Sequence, residues 1–427
     1  MGGNVVITGT GLVTSLGTGV SETWDALISG RSGIGRIDSF DAEGFDCKHA
    51  AEVPGLGPED LNIHPRDSRI MDKHAFMLMK SSRDAFAQSR LDTGSVAPEN
   101  IGFFAGMGMV DYNIDDILTS VLNSMDQNGM LDYSKFFSGA YREIHPLWPL
   151  SMLNNISFCQ VAIDLGIKGE NAVFSPHGDS GIHAIIEAYD AVSEKRAKVA
   201  LAGGVSEKIS PQSLARSSLS GILNTTERED ALYCNPFGKN RQGTVLGEGC
   251  GIVALELRAS AEERQVSRLA AIAGYGASCE LNKDSRCPSA KAISLSMEQA
   301  LARADLLPSE IDVIIVHGDG TDTGDRSEAE AIHHTFRDYT SRVRVYSSKG
   351  AIGNLLAGAS AADVILGICM LENGIIPAAY GSPATDNEVL LNVVHGGPLK
   401  AAPGRIMINT RSHEGQCASL IIEKAAK

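Results

Sequence analysis

Short runs of apolar residues alternate along this chain with longer segments in which apolar residues recur every third or fourth position. The short runs are bounded by glycine and polar residues, as in buried strands, and the longer periodicity is that of amphipathic helices. The pattern therefore predicts an α/β protein built in layers. The predicted strands are 5–8, 101–105, 172–174, 199–203, 250–256, 313–316, 343–347, 406–409 and 419–423. The predicted helices are 22–29, 72–89 or 65–89, 180–194, 292–304, 327–336 and 355–372.

The segment 111–150 interrupts this alternation, because it is polar and aromatic and shows no sheet pattern. It contains one helix-like stretch, 114–125, and a tryptophan followed by proline at 148 and 149. A long excursion from a compact core more often builds a cap or an interface than a disordered loop. We therefore expect 111–150 to form a cap or a subunit contact.

Two distant segments repeat one pattern of strand, loop and helix. Strand 172–174, a tight elbow and a helix from Ser180 are echoed by strand 343–347, the loop 349–354 and helix 355–372. The sequence identity between the two segments is negligible, so the likeness is one of pattern. It predicts two similar α/β units, each presenting a helix N-terminus to one central cleft.

The composition limits the classes of partner. The 427 residues are enough for two domains or two fused halves, and the net charge is −15 without a concentrated run of lysine or arginine. Non-specific nucleic-acid binding is therefore excluded, because it needs concentrated positive charge. If the second helix begins at Pro65, then Arg66, Arg69 and Lys73 share one face. That face is either a basic patch for an acidic partner or an ordinary solvated surface.

The eight cysteines form no CxxC pair and no metal-ligand spacing with histidine, so we expect no metal site and a reducing cytosolic compartment. The chain enters its first strand directly, without a signal peptide. We find no apolar stretch of the ~18 residues that span a bilayer. A cytoplasmic protein without a membrane segment is expected.

Three segments carry candidate chemistry. The elbow within 171–183 lifts one residue towards the N-terminus of a helix, whose dipole would lower the pKa of a thiol placed there. That position is occupied by Gly178, which has no side chain. His317 follows a strand and precedes a glycine- and threonine-rich turn, and Lys349 and Asn354 lie on a glycine-rich loop.

Together with the segments 5–17, 202–207, 235–243 and 246–249, these motifs resemble the β-ketoacyl synthases of the thiolase superfamily over almost the whole chain. The resemblance implies an α/β fold, a thiolase-like αβαβα five-layered sandwich made of two similar halves. It implies an N-terminal half, 1–256, carrying the insertion 111–150 as a cap or dimer element, and a C-terminal half, 257–427.

The family holds an acyl chain on a cysteine and uses two histidines to decarboxylate a malonyl unit. The resemblance puts the cysteine position at Gly178, the first histidine at His317 and the second histidine at Asn354. Glycine cannot carry an acyl group, so the covalent route is absent. The family chemistry implies neither a metal nor another cofactor.

Other parts of the implied site are partly kept. Lys349 and Glu328 remain, whereas the glycine-rich loop near the C-terminus is rewritten as 409–417, with His413 and Cys417 within it. In active members this loop carries a gating phenylalanine and a backbone oxyanion donor. The loss of three independent parts of one site is hard to reconcile with condensation.

Local alternatives remain open for several polar residues. Helix capping explains the polar residues of the elbow better than a hydrolase triad does, because triad members meet through a pocket and seldom within one turn. The elbow residues concerned are Ser175, His177, Asp179 and Ser180. We expect His183 to be a structural histidine. His317 either holds the scaffold through a hydrogen bond or polarises a carbonyl group. Cys417 is either a buried thiol or a substitute nucleophile.

Within the family, the chain resembles the chain-length factors, or ketosynthase β-subunits, of type II polyketide synthases. These lack the nucleophile, pair with an active ketosynthase α-subunit and shape the cavity in which the chain grows on an acyl carrier protein. Related subunits commonly carry glutamine at the elbow, which can donate a hydrogen bond, whereas Gly178 cannot. A non-catalytic, tunnel-forming subunit of a heterodimer is therefore expected.

The resemblance also places Met107, Met109 and Tyr112 where the segment after a strand lines the tunnel of the neighbouring subunit. They are expected either to set tunnel depth or to fill the core. Two other functions remain as alternatives. One is an acyltransferase or malonyl decarboxylase that uses His317 with an unorthodox nucleophile, and the other is a homodimeric acyl-binding scaffold.

Overall fold

The computed structural model of the chain describes residues 4–174, 177–226, 232–282, 287–381 and 389–425. The strands in these ranges are β1 Val5–Thr14, β2 Gly35–Arg36, β3 His49–Ala50, β4 Ile101–Met107, β5 Asn171–Phe174, β6 Val199–Val205, β7 Gly249–Leu257, β8 Ala270–Cys279, β9 Leu281–Asn282, β10 Cys287–Pro288, β11 Val313–Ile315, β12 Arg344–Tyr346, β13 Ile375–Ile376, β14 Leu399–Lys400, β15 Arg405–Arg411 and β16 Gln416–Lys424. The helices are α1 Val20–Ile28, α2 Lys73–Gln88, α3 Asp115–Asn123, α4 Tyr133–Ser138, α5 Trp148–Ser151, α6 Asn154–Asp164, α7 Ser180–Ser193, α8 Pro211–Leu219, α9 Arg258–Glu263, α10 Ala290–Ala304, α11 Asp322–Phe336, α12 Lys349–Ile352 and α13 Ala359–Asn373.

Ten of these strands form one sheet, in the order β12-β11-β15-β16-β8-β1-β7-β6-β4-β5. Each half contributes five strands in the same order, β5-β4-β6-β7-β1 and β12-β11-β15-β16-β8. In each half the first three strands are parallel and the other two are antiparallel to their neighbours. The halves meet where β1 pairs with β8 through Val6 and Ala271. The structure thus confirms two similar halves.

The helices complete a five-layered arrangement. The helix α2 packs outside the N-terminal strands, α10 packs outside the C-terminal strands, and α11 packs against α10. Between them, α7 and α13 contact each other and strands of both halves. Close packing in this middle layer depends on glycine, since a Cβ atom at Gly204 would lie 2.1 Å from the carbonyl oxygen of Ala357. The αβαβα sandwich is therefore confirmed.

The predicted elements agree with the structure in type, and most strands are longer than the pattern indicated. The strand β8 was missed, because it consists mostly of alanine, glycine and serine and has only one β-branched side chain, Ile272, to indicate a strand. The prediction that α11 begins at 327 was wrong by five residues, since the helix begins at Asp322.

The proposed shared face of Arg66, Arg69 and Lys73 is also wrong. The helix α2 begins at Lys73, and its N-cap, Asp72, accepts hydrogen bonds from two backbone amides of the first turn. The ammonium of Lys73 lies 2.5 Å from the buried carboxylate of Glu248. Lys73 is therefore tied to the fold and does not form a surface patch with the two arginines.

The insertion 111–150 is helical and forms an exposed apolar surface. It contains α3 and α4 and the start of α5, and no sheet strand lies within it. The large hydrophobic side chains exposed there are Tyr112, Ile114, Leu118, Leu122, Met130, Leu131, Tyr133, Phe137, Tyr141, Leu147 and Leu150. So many exposed apolar residues in one segment are typical of a surface that contacts another molecule.

One helical stretch of the described residues, Leu356–Asn373, is long and apolar enough to cross a membrane by length and composition alone. This corrects the expectation that no apolar stretch reaches such a length. The stretch is 83% buried inside the protein, where it forms the middle layer of the sandwich. Its apolar character is therefore explained by the core.

Candidate functional site

A cavity of about 180 Å³ lies between the two halves, beside the N-terminus of α7. The segments that follow β5, β11 and β12 carry Gly178, His317 and Asn354 to its wall, and the turn between β15 and β16 adds His413. Met109, which follows β4, also lines it. The structure therefore brings together most of the residues that the sequence singled out.

Gly178 is closely covered, although it has no side chain. A Cβ atom built there would lie 2.9 Å from the carbonyl oxygen of Arg411 and 3.6 Å from Cε1 of His317. The hydroxyl of Thr410 donates a hydrogen bond of 3.0 Å to the carbonyl of Gly178. The carbonyl oxygen at the end of β15 therefore crowds the position that the Cβ atom of an elbow side chain would take.

His317 is buried, with 3% of its surface exposed. Its backbone amide donates to the carboxylate of Glu328 at 2.8 Å, and its Nε2 lies 3.7 Å from the carboxylate of Asp319. Burial lowers the pKa of His317 well below its usual value, and the positive charges of Lys349 and Arg411 lower it further. The imidazole is therefore neutral near pH 7 and can serve as a donor or an acceptor, but not as a cation.

Asn354 lies where the resemblance places a second histidine. Its side-chain oxygen accepts a hydrogen bond of 3.1 Å from the amide of Leu356, and its backbone pairs with Val245 and Gly247. The residue is 1% exposed. It closes the turn before α13 and has no group that exchanges a proton near pH 7.

Lys349 and Glu328 lie behind the cavity wall rather than in it. The ammonium of Lys349 is 3.5 Å from a carboxylate oxygen of Asp363, and both side chains are buried. Burial raises the pKa of Asp363, whereas the positive charge of Lys349 opposes that rise. Glu328 accepts hydrogen bonds from the amides of His317 and Gly318. Both residues therefore hold the loops of the site in place.

The sequence reasoning missed the charged centre of the site. Arg411 is 2% exposed, and its guanidinium donates a hydrogen bond of 2.7 Å to Asp319. It also lies 3.8 Å from Asp325 and 3.9 Å from Glu328. The available signal was an arginine directly after the predicted strand 406–409, because an arginine that the fold buries needs carboxylate partners.

The carboxylates of this centre differ in their protonation. Burial opposes ionisation of Asp319, but the charge of Arg411, together with smaller contributions from His317, His413 and the hydrogen bond from Thr321, lowers its pKa. Burial and the neighbouring charge of Asp319 raise the pKa of Asp325 to about 7. Burial likewise raises the pKa of Glu328. One guanidinium is thus shared by one ionised carboxylate and two others that hold protons more readily.

The described elbow residues do not form a hydrolase triad. His177 contacts Glu414 at 3.1 Å, and His183 contacts Asp179 at 3.1 Å. The carboxylate of Asp179 makes no capping hydrogen bond to α7, so the expected helix cap is wrong for this residue. Ser175 lies outside the described residues. The pairing with Asp179 agrees with a structural role for His183.

Cys417 is fully buried opposite Arg411 in the β15–β16 ladder. Burial raises the pKa of its thiol, which makes it a poor nucleophile. His413 lines the cavity, and burial lowers the pKa of its imidazole. Neither residue provides a substitute for the missing cysteine.

The three candidate tunnel residues lie in different surroundings. Met107 is fully buried in the hydrophobic core at the end of β4, so it contacts neither the cavity nor the surface. Met109 and Tyr112 are 42% and 38% exposed. Met109 lines the cavity, and the ring of Tyr112 packs edge-on against Trp148 with a centroid distance of 6.0 Å.

A polar cluster fixes the start of the insertion next to Met109. Arg216 pairs with Asp111 at 2.7 Å and with Glu207 at 2.6 Å. Burial raises the pKa of Glu207, and the charge of Arg216 opposes the rise. Among the described residues, no group of three or more histidine, cysteine, aspartate or glutamate side chains has a geometry that could hold a metal ion.

Two halves of one topology, with an elbow and a helix N-terminus facing a shared cavity, define a protein of the thiolase-like class. Two family models match the chain, the N-terminal domain of β-ketoacyl synthase over residues 3–261 and its C-terminal domain over residues 269–382. The chain belongs to the β-ketoacyl synthase family.

Similar proteins carry two kinds of name. The chain is 27% identical to 3-oxoacyl-[acyl-carrier-protein] synthase 2 of Staphylococcus aureus (strain COL) over 421 residues, covering 98% of each chain. It is 28% identical to the protein of the same name from Coxiella burnetii over 426 residues, again covering 98% of each. Among solved structures, it resembles a chain of the ishigamide ketosynthase/chain length factor with a TM-score of 0.86 and 27% identity, covering 100% of both chains.

Proposed function

We propose that this chain is a non-catalytic, chain-length-determining subunit that pairs with an active ketosynthase subunit and shapes the tunnel in which an acyl chain grows on an acyl carrier protein. The observation that carries the proposal is the covered glycine at the elbow. Gly178 cannot hold an acyl group, and the carbonyl oxygen of Arg411 crowds the position where a side chain would begin. Catalysis would therefore come from the partner.

Among the described residues, the remaining candidates of the family site offer no substitute for the missing nucleophile, which supports the same proposal. The imidazole of His317 is neutral, Asn354 is engaged in a turn, and the thiol of Cys417 is buried. A β-ketoacyl synthase needs a nucleophile and two groups that stabilise the enolate oxygen. This chain retains one of these three groups.

The exposed apolar surface of the insertion supports a partner. Large side chains such as Met130, Tyr133 and Phe137 are each about two-thirds exposed in the single chain. Strand β5 lies at the end of the ten-stranded sheet, so one row of its backbone groups faces outward. A ketosynthase subunit is the partner we propose, by analogy with the ketosynthase/chain length factor that the fold resembles.

Met109 and Tyr112 are the proposed end of the tunnel. Both are partly exposed and lie where the insertion leaves β4, next to the apolar surface. A growing acyl chain that reaches this wall would have to overpack it with each further two-carbon unit, at a cost of about 1–3 kcal/mol. Bulk at these two positions would therefore limit the length of the product.

The test is co-expression with the partner ketosynthase, followed by size analysis and mass spectrometry of the products. A stable 1:1 complex is expected, and Met109→Ala or Tyr112→Ala should lengthen the product by at least one two-carbon unit. Met152→Ala and Tyr339→Ala are matched controls, because they change the same residue types at similarly exposed positions outside the insertion. Unchanged length in both test variants would exclude these residues as the ruler.

The alternative functions give different results in the same preparation. A chain that forms only homodimers, with no ketosynthase bound, would indicate an acyl-binding scaffold. Release of carbon dioxide from malonyl carrier protein by the purified chain alone would indicate a decarboxylase that uses His317. Either result would contradict the proposed subunit.

A further inference from the structure

Arg411 is the centre of a buried ion cluster to which the proposed function assigns no role. Its guanidinium nitrogens lie 2.7 Å from Asp319, 3.8 Å from Asp325 and 3.9 Å from Glu328. All four side chains are nearly or completely buried. Such a cluster is costly to assemble unless each member is well paired, so its geometry is expected to serve a structural purpose.

The three carboxylates hold the loop that follows β11. Glu328 accepts from the amides of His317 and Gly318, at 2.8 and 2.9 Å. Asp325 accepts from Gly320 at 3.2 Å, and Asp319 accepts from Thr321 at 3.0 Å. Since each carboxylate also faces Arg411, the guanidinium joins this loop, 317–321, to the end of β15.

The backbone of α11 is shaped to receive the guanidinium. A Cβ atom at Gly324 would lie 2.1 Å from Nη2 of Arg411 and 2.5 Å from Cζ. Any side chain at 324 would therefore displace the guanidinium from its carboxylates. The glycine and the arginine are fitted to each other.

We propose that Arg411, seated on Gly324, is an ionic lock that holds the hairpin 411–417 against the loop 317–321, so that this hairpin forms a fixed wall of the cavity. The hairpin begins at Arg411 and ends at Cys417, and it includes His413, which lines the cavity. The lock concerns the mobility of this wall and does not depend on the proposed function.

A cysteine of the chain, Cys417, can report whether the hairpin 411–417 opens. Cys417 pairs directly with Arg411 in the β15–β16 ladder and is 0% exposed, so a thiol reagent reaches it only if the hairpin opens. Cys279 is exposed and serves as the fast reference, whereas Cys250 is buried in the N-terminal sheet and reports general unfolding.

The experiment measures the alkylation rate of each cysteine by peptide mass spectrometry, in the full chain with its partner if one is required for purification. Arg411→Met, Asp319→Asn and Gly324→Ala should each raise the rate at Cys417 at least tenfold, without changing the rate at Cys250. Arg411→Lys should give a smaller rise, because an ammonium keeps the charge but loses the planar fork. Arg31→Met and Gly44→Ala, at exposed sites, should change nothing.

Two outcomes would overturn the lock. One is a rate at Cys417 within twofold of the wild-type rate in folded Asp319→Asn and Arg411→Lys. The other is an equal rise at Cys417 and Cys250, which would indicate general destabilisation rather than local opening. If Arg411→Met does not fold, the milder Arg411→Lys and Gly324→Ala decide the question by the same comparison.

Discussion

Replacing Gly178 by cysteine tests directly how the site lost its chemistry. The new Cβ atom would lie 2.9 Å from the carbonyl oxygen of Arg411, closer than Cβ atoms approach backbone oxygens in folded proteins. The obstacle is backbone at the end of β15, so no flexible side chain can turn aside to relieve it. Overpacking of this kind costs about 1–3 kcal/mol, which is the expected loss in the free energy of unfolding.

The same substitution should not restore condensation. A thiol at 178 would lie near the N-terminus of α7, which favours the thiolate, and within reach of His317. However, burial and the charges of Lys349 and Arg411 lower the pKa of that histidine, so an imidazolium partner is disfavoured. Asn354 still occupies the place of the second histidine. We therefore expect acylation of the new thiol by thioester exchange, which releases the carrier-protein thiol, without a condensation product.

The assay combines urea unfolding with mass spectrometry after incubation with acyl and malonyl carrier protein. Gly178→Ala is the matched control, because it adds the same Cβ atom without the thiol. Both variants should lose a similar stability, and only the cysteine variant should be modified. The steric argument fails if both are as stable as the wild type, and the chemical argument fails if Gly178→Cys alone makes a β-ketoacyl product.

Two further predictions concern the buried charges. Lys349→Met leaves the carboxylate of Asp363 buried without its cation, so the free energy of unfolding at pH 8 should fall by about 3–5 kcal/mol. The double variant with Asp363→Asn should recover most of this loss, and urea unfolding of the wild type and the two variants checks both expectations. The pKa of Asp325 is raised to about 7 by burial and by Asp319, above its value in an unfolded chain. Its contribution to stability is therefore greatest at low pH and is lost as pH rises through about 7. Thermal unfolding should show that the stability of Asp325→Asn relative to wild type increases from pH 5 to pH 8. A stability difference that does not change with pH would contradict the raised pKa.

Much of the fold could be predicted from the sequence, because apolar periodicity is a local property. The elbow at Gly178, the strand before it and the helix α7 all lie where the pattern placed them. The strand β8 was not predicted, because its alanines and glycines have no preference for strands, although it lies buried between β1 and β16. The first residues of α11 were not predicted as helix, because the glycine and aspartate near Asp322 are typical of a turn.

The site was predicted less completely, because its electrostatics join distant parts of the chain. The sequence placed His317, Asn354 and His413 around one cavity, as the structure does. It gave no indication that Arg411 pairs with Asp319, since the two residues are 92 positions apart. Met107 and Met109 are two positions apart, yet one is core and the other lines the cavity, because β4 ends between them.

The buried helix α13 forms part of the hydrophobic core of both halves. Every residue from Ala359 to Leu371 is buried, and the helix packs on strands of both halves at once. Neither half would have a complete core without it, although the two halves share one strand order. The shared topology therefore does not make either half an independent folding unit, and we expect neither half to fold stably when it is expressed alone.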